Sequence, residues 1–255
     1  MTSVNTSYRI DFLLGTIGRV ILFLVQISIW HALLQGQSSE TNVGPISTND
    51  MYNYMLISSI LSIIVSNNVI YVIDERIKTG QIATDLLKPM NYRGILFYGM
   101  IGENFYRIIF EIIPIVILSI MLFDVRIPSI LYLILFVIAA INGVLIKFLI
   151  AYTLGLLGFW VNSIWHFSRL LEDVIKIFSG SWIPLWFFSG LFQTIVSLLP
   201  FKLIFYVPIM IYMEKITLSS VAMSLFEQLV WIVVLYVLSL LIWKLGIKKL
   251  SIQGG

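Results

Sequence analysis

No cysteine occurs among the 255 residues, and there are only two histidines, His31 and His166. Disulfides, thiol nucleophiles, Cys-ligated zinc and iron–sulfur clusters are thereby excluded. The two histidines lie far apart in sequence, and no H-E-x-x-H motif is present. A phosphate-binding loop of the G-x-x-x-x-G-K-[ST] type needs a Gly-Lys pair, and none occurs, so the chain cannot bind and hydrolyse ATP by that route. There is no G-x-S-x-G nucleophile elbow, and no pair of carboxylates is placed for acid–base work in an aqueous cleft. Charge is scarce as well. Asp, Glu, Lys and Arg make up 11% of the chain, against roughly 25% in a soluble domain.

What is present in quantity is apolar: 59% of the residues are hydrophobic, and the mean hydropathy is +0.98. A soluble domain of this length cannot hide so much apolar surface, because over half of any folded surface stays exposed. The composition excludes a soluble globular protein, a disordered chain and a nucleic-acid binder. It points to an all-α, multi-pass membrane protein.

A hydrocarbon core about 30 Å thick calls for roughly 20 apolar residues per helix. Six segments meet that length: about Phe12 to Leu34, Tyr52 to Ile73, Ile95 to Phe123, about Ser129 to Phe159, from near Val174 to just before Pro200, and about Val221 to Trp243. The second is polar in its middle, at Ser66, Asn67 and Asn68. The stretch Phe201 to Met213 is too short to span and is flanked or broken by Pro200 and Pro208, so it reads as a re-entrant or interfacial half-helix before the last span. Residues Tyr8 to Gly18 read as an interfacial helix leading into the first span. The N-terminus does not read as a cleavable signal, since its apolar run continues past Val25. The Asn5-Thr6-Ser7 sequon is then a chance match on the cytoplasmic side.

Lys and Arg in the short loops set the orientation. The loop from Gln35 to Asp50 has none, whereas Asp74 to Gly94 has Arg76, Lys78, Lys88 and Arg93, and the tail has Lys244, Lys248 and Lys249. Both termini and the Asp74–Gly94 loop are expected in the cytoplasm of a plasma-membrane protein. Trp30, Tyr52, Tyr54, Tyr71, Tyr92, Trp160 and Trp243 fall near span ends, as an interfacial belt requires. No internal repeat appears, and residues 1–255 read as one membrane domain.

The charged loop mixes ionic residues with Ile77, Ile82, Leu86 and Leu87. Thr79 is placed to cap a short helix that Pro89 ends. Such a helix would lie along the membrane surface with one face apolar. The third span carries Glu103, Arg107 and Glu111 at i, i+4 and i+8, one stripe of an α-helix, which reads as an intramembrane charge ladder. Lys147 and Asn142 stand in the fourth span and Glu227 in the sixth, where Lys147 and Glu227 could pair. Between His166 and Lys176, Glu172 has Arg169 and Lys176 at helical spacing. Gly143, Gly155 and Gly158 permit close helix approach, and Asn67 and Asn68 could hydrogen-bond between helices.

The sequence TGQIATDLLKPMNY after the second span resembles the signature loop of the six-helix ABC type-2 exporter permeases. That family's pattern is roughly R-x-G-x-[IV]-x-x-D-L-L-[RK]-P. Lys78, Gly80, Ile82, Asp85, Leu86, Leu87, Lys88 and Pro89 stand at its positions, with Lys78 in place of the usual Arg. Three further similarities follow in order: SGSWIPLWFF with Pro200-Phe201 and Pro208, Gln228 before Trp231, and the closing Gln253-Gly254-Gly255. The resemblance implies the transmembrane subunit of an ATP-driven exporter, paired with an identical or related permease. Separate cytoplasmic ATP-binding subunits would carry ATP and Mg²⁺, so no cofactor and no catalytic residue are expected on this chain. It implies a coupling helix in the Asp74–Pro89 loop, with Lys78, Gly80, Ile82, Asp85, Leu86, Leu87 and Pro89 meeting the ATP-binding subunit. Two other classes are compatible with the composition. An ion-coupled secondary transporter would use Glu103, Arg107, Glu111 and Lys147 as its relay, but such folds often show an inverted repeat. A membrane scaffold or enzyme would need constellations that are missing here.

Overall fold

The computed structural model describes residues 2–35, 47–161 and 164–249, with side chains for all of these except 2–13, 35 and 106. The side chains of the sequon, most of the Gln35–Asp50 loop and Gln253-Gly254-Gly255 lie outside what is described. Every described element is helical. In chain order they are α1 (Thr2–Gln35), α2 (Thr48–Ile64), α3 (Val69–Lys78), α4 (Gln81–Leu86), α5 (Tyr92–Arg107), α6 (Ile113–Leu122), α7 (Ile130–Gly155), α8 (Trp165–Phe178), α9 (Leu191–Leu198), α10 (Tyr206–Tyr212) and α11 (Leu218–Ile247). Five stretches are long and apolar enough to cross a membrane: Leu14–Leu34, Thr48–Lys78, Tyr92–Leu122, Ile130–Phe159 and Leu218–Ile247. A sixth is reached if α9 and the Pro200–Tyr212 segment, bent by 67° to each other, count as one.

Helix α7 is the central column, packed by α11, α10 and α3. Small residues let these neighbours come close. A Cβ on Gly143 would stand 3.0 Å from the Ile204 carbonyl oxygen, and Gly155 and Gly158 face Ile73 and Ile77 in the same way. Gln228 of α11 is fully buried and gathers three hydrogen bonds. It donates to the carbonyls of Ala139 and Leu203 and accepts from Asn142 Nδ2 at 3.1 Å. Outward-facing Leu, Ile, Val and Phe side chains cover much of the remaining helix surface, as contact with lipid tails requires.

The fifth expected span departs from its predicted form. No helix runs from Val174 toward Pro200. Instead α8 ends at Phe178, residues 179–190 are largely non-helical, and α9 follows. Gly180 and Gly190, at φ +81° and +63°, take backbone conformations that a side chain disfavours and so stop the helix. Pro184 adds a third break. The apolar run was long enough to span, but its punctuation decides otherwise. At the start of the chain α1 is one continuous helix, so no separate Tyr8–Gly18 helix precedes it.

The end of the bundle where α2, α7 and α11 begin is tied by polar groups. Asp50, within the capping box that opens α2, receives Arg126 at 3.1 Å and Lys215 at 2.9 Å. Asn53 donates to the Asp124 carbonyl and accepts from the Arg126 N–H. The opposite end carries α4, the start of α5 and the ends of α7 and α11, with Trp243 stacked on Tyr92, centroids 5.2 Å apart.

A corner outside the bundle and a polar cavity within it

The α3–α4 corner is built from local signals. Thr79 closes α3 by donating its hydroxyl to the Glu75 carbonyl, so it ends one helix instead of opening the next as its type had suggested. Gly80 follows with φ +73°, the left-handed position that lets a chain leave a helix C-terminus, and it opens α4 without a side-chain cap. Ile82 is fully buried and seats α4 on the bundle. Asp85 is buried too, and it is the hub: one oxygen receives Arg76 and the other receives Lys88 at 2.6 Å. The hydrogen bond from Lys88, opposed by burial and reinforced by Arg76, holds the Asp85 carboxyl below its ordinary pKa. Lys78 pairs back to Asp74 at 2.6 Å, and Asp74 also accepts the Ile164 N–H at 3.4 Å, joining the corner to the start of α8. Leu86 and Leu87 face outward, Leu87 at 85% exposure, and Pro89 is exposed. The corner thus presents apolar side chains on a frame held by ion pairs.

The charge stripe of the third span is split. Residues Ile108–Ile112 form a π turn between α5 and α6. Pro114 has no N–H to offer the carbonyl four residues back, and widening the turn relieves the clash. Glu111 lies in that widened turn. It pairs with Arg19 of α1, Nε to Oε2 at 2.5 Å. Arg107 donates to Ser66 Oγ at 3.1 Å, and Glu103 is exposed. Sequence spacing assumed one uninterrupted α-helix, and the proline removed that assumption.

Arg107 meets Ser66 because the second span is itself interrupted. Helix α2 stops at Ile64 and α3 resumes at Val69. Asn104 Nδ2 donates to the carbonyls of Ile64 at 3.0 Å and Ser66 at 2.7 Å, satisfying acceptors that a helix end leaves open. Asn67 bonds within its own turn, donating to the Val65 carbonyl at 3.4 Å. A second interruption, after α8, is closed from α2. Tyr54 donates to the Gly180 carbonyl at 2.6 Å and Ser58 to that of Ser181 at 2.7 Å, while the Tyr206 N–H meets the Ser179 carbonyl at 3.0 Å. Three successive carbonyls outside any helix are therefore satisfied, which is the condition for irregular backbone at membrane depth.

Between these two interruptions lies a polar cavity of about 160 Å³. Arg19, Lys147, Glu172, Lys176 and the hydroxyls of Ser58, Ser59 and Ser62 line it, with Trp182 and Phe23 among the apolar walls. Lys147 is buried and bonds Glu172 of α8, Nζ to Oε1 at 2.9 Å. The expected Lys147–Glu227 pair does not form. Glu227 takes Lys202 at 3.0 Å, and Lys176 takes Asp173 rather than Glu172. Sequence reasoning missed the cavity's serines: Ser58 and Ser62, at i and i+4 in an apolar helix, were the available signal. Among the described residues, no group of three or more His, Cys, Asp or Glu is placed to hold a metal ion.

A family model described as ABC-2 family transporter protein matches residues 14–254. No curated protein and no solved structure matches the chain.

Proposed function

The chain belongs to the ABC-2 transporter family, and from that premise we propose that it is the permease subunit of an ATP-driven exporter. In this reading it lines a translocation path together with a second, identical or related permease. Separate cytoplasmic ATP-binding subunits hold ATP and Mg²⁺ and do the hydrolysis, and this chain has no catalytic residue of its own. Both termini and α4 lie in the cytoplasm of a cell whose plasma membrane the chain crosses, as the Lys and Arg of that end favour. Residues 1–255 then act as a single membrane domain.

The α3–α4 corner carries the proposal. A coupling element must dock on a partner and transmit its movement without folding away. Leu86 and Leu87 supply exposed apolar area for docking. Asp85, bound to α3 through Arg76, makes α4 move with α3, and α3 continues the second span. That span forms part of the polar cavity through Ser58, Ser59 and Ser62, so a push on α4 reaches a wall of the path as a rigid-body displacement. Lys78, Gly80, Ile82 and Pro89 shape the same corner. The paired charges of the cavity suit a cargo with a polar group attached to an apolar body.

The test is to co-express the chain with an ATP-binding subunit from its own genome, purify the complex, reconstitute it and measure ATPase and export. Leu87→Asp is expected to leave the permease folded and to cut its co-purification and its stimulation of ATPase about tenfold, the effect of losing roughly 1.4 kcal/mol at the contact. Full coupling in Leu87→Asp would remove the corner from the mechanism. Export driven by an ion gradient in vesicles free of ATP would remove the exporter reading itself.

A further inference from the structure

Beside the corner, at the start of α5, lies a pocket of about 250 Å³ that borders Asp85 and Leu86 and whose Tyr92, Arg93 and Tyr152 the coupling reading does not use. Arg93 lines it and is 8% exposed. Its guanidinium lies over the rings of Tyr236, at 4.1 Å, and Tyr152, at 5.5 Å. Those rings stabilise the charge from above its plane. They leave the in-plane donors unanswered, since Nε and Nη1 have no hydrogen-bond partner among the described residues. The Tyr92 hydroxyl, buried in the same pocket, has none either. Buried donors on a charged group are costly to leave unpaired.

Asp85 borders the pocket and would be the natural counter-charge, but both of its oxygens are occupied by Arg76 and Lys88. The local sum of Arg76, Lys88 and Arg93 against Asp85 is positive. The vacant acceptor must therefore come from outside the described residues, and the local charge favours an anion. A phosphate offers that charge and several acceptor oxygens to a guanidinium's planar fork.

We infer that this pocket binds a phosphate group, the Arg93 guanidinium and the Tyr92 hydroxyl donating to its oxygens, and that the phosphate is the headgroup of an anionic phospholipid in the leaflet beside α4. The pocket's rim selects the lipid over free phosphate. Leu86 and Met90 are apolar and exposed there, Met90 at 61%, and Trp243 closes the wall one residue before Lys244, where an interfacial aromatic and a basic residue meet a bilayer surface. An acyl chain would cover Met90, which inorganic phosphate cannot. The inference needs neither an ATP-binding subunit nor a cargo, so it stands or falls apart from the transport reading.

Purified full-length protein, stripped of lipid in detergent, is titrated with dioleoylphosphatidylglycerol, with dioleoylglycerol, or with sodium phosphate. Bound lipid is counted by native mass spectrometry and thermal stability is followed in parallel. The phospholipid is expected to be retained and to raise the melting temperature, and dioleoylglycerol to do neither. Arg93→Gln should weaken retention about tenfold or more, and Arg93→Lys, which keeps the charge and loses the fork, by less. Tyr92→Phe should weaken it a few-fold while preserving the stack on Trp243, and it carries the test if Arg93→Gln does not fold. Retention unchanged in both Tyr92→Phe and Arg93→Lys would overturn the site, as would equal retention of dioleoylglycerol. Millimolar phosphate matching the phospholipid would uphold the phosphate pocket and overturn the lipid as its source.

Discussion

Inside the bundle, α2 stops at Ile64 and its open carbonyls are met by Asn104, 38 to 40 residues farther along the chain. Outside it, α3 stops at Lys78 and the turn is held by Arg76–Asp85, Lys88–Asp85 and Lys78–Asp74, partners no more than nine residues apart. The open carbonyls of the interior interruption are met by neutral hydrogen bonds from a different helix, and the exterior corner uses charges of its own. Each choice suits its surroundings. A neutral amide enters a low-dielectric interior at far less cost than an ion, while near water a charge is cheap to keep. The mechanical result differs as well. An interruption closed from another helix is fixed to the bundle, whereas a corner closed by its own residues travels as one piece.

The largest expected effect comes from opening the interior closure. Asn104→Leu leaves two buried carbonyls unmet and is expected to destabilise the protein by about 2–4 kcal/mol, read as thermal unfolding in detergent. A loss below about 0.5 kcal/mol would mean the α2–α3 interruption is not held by α5. Tyr54→Phe removes a single bond, to Gly180, and should cost about 1–2 kcal/mol by the same measurement. An additive double variant with Asn104→Leu would show the two interruptions to be independent. Gly80→Ala tests the exterior corner. No neighbour lies within 4 Å of the added Cβ, so the cost is only that of the left-handed backbone, about 1 kcal/mol, and it should appear as local hydrogen exchange in residues 76–88 more than in global melting. The smallest effect is that of pH. Asp85 is held below its ordinary pKa, so its pairs contribute fully above the ordinary carboxylate range and are lost as pH falls through the lowered value. Exchange protection of α4 should be flat from pH 8 to 5 and should fall only in strong acid. Asp85→Asn should remove that acid step, and a step near pH 6 would assign the control to another group.

Much of this architecture is legible in composition and spacing. Long apolar runs announced the spans, and the charged loop stood out because so little charge is available elsewhere. Lys78, Gly80, Asp85 and Lys88 follow one another closely enough for local rules to place them. What resisted reading depends on three-dimensional neighbours. Ser66-Asn67-Asn68 was visible as a polar spot, but that Asn104 closes it is a contact between helices. Glu103, Arg107 and Glu111 are evenly spaced in sequence, but the π turn before Pro114 and the pairing of Glu111 with Arg19 of α1 could not be read from that spacing. Val174 to Leu199 is apolar enough to span, and Gly180, Pro184 and Gly190 outweigh its hydropathy. Lys147 found Glu172 and Lys202 found Glu227 for a related reason: pairing in a bundle follows which helices touch, and that is not written along any one of them.

The turn between α9 and α10 leans on α11 at two consecutive residues of each. Glu227 holds Lys202 and Gln228 holds the carbonyl of Leu203. Successive residues on a helix point in directions about 100° apart, so the two contacts grip the turn from different sides. A single contact would leave a pivot about which the turn could roll. Two of them act like adjacent teeth of a gear. Any rotation or slide of α11 carries the turn along, and slip between them requires an ion pair and a buried hydrogen bond to break together.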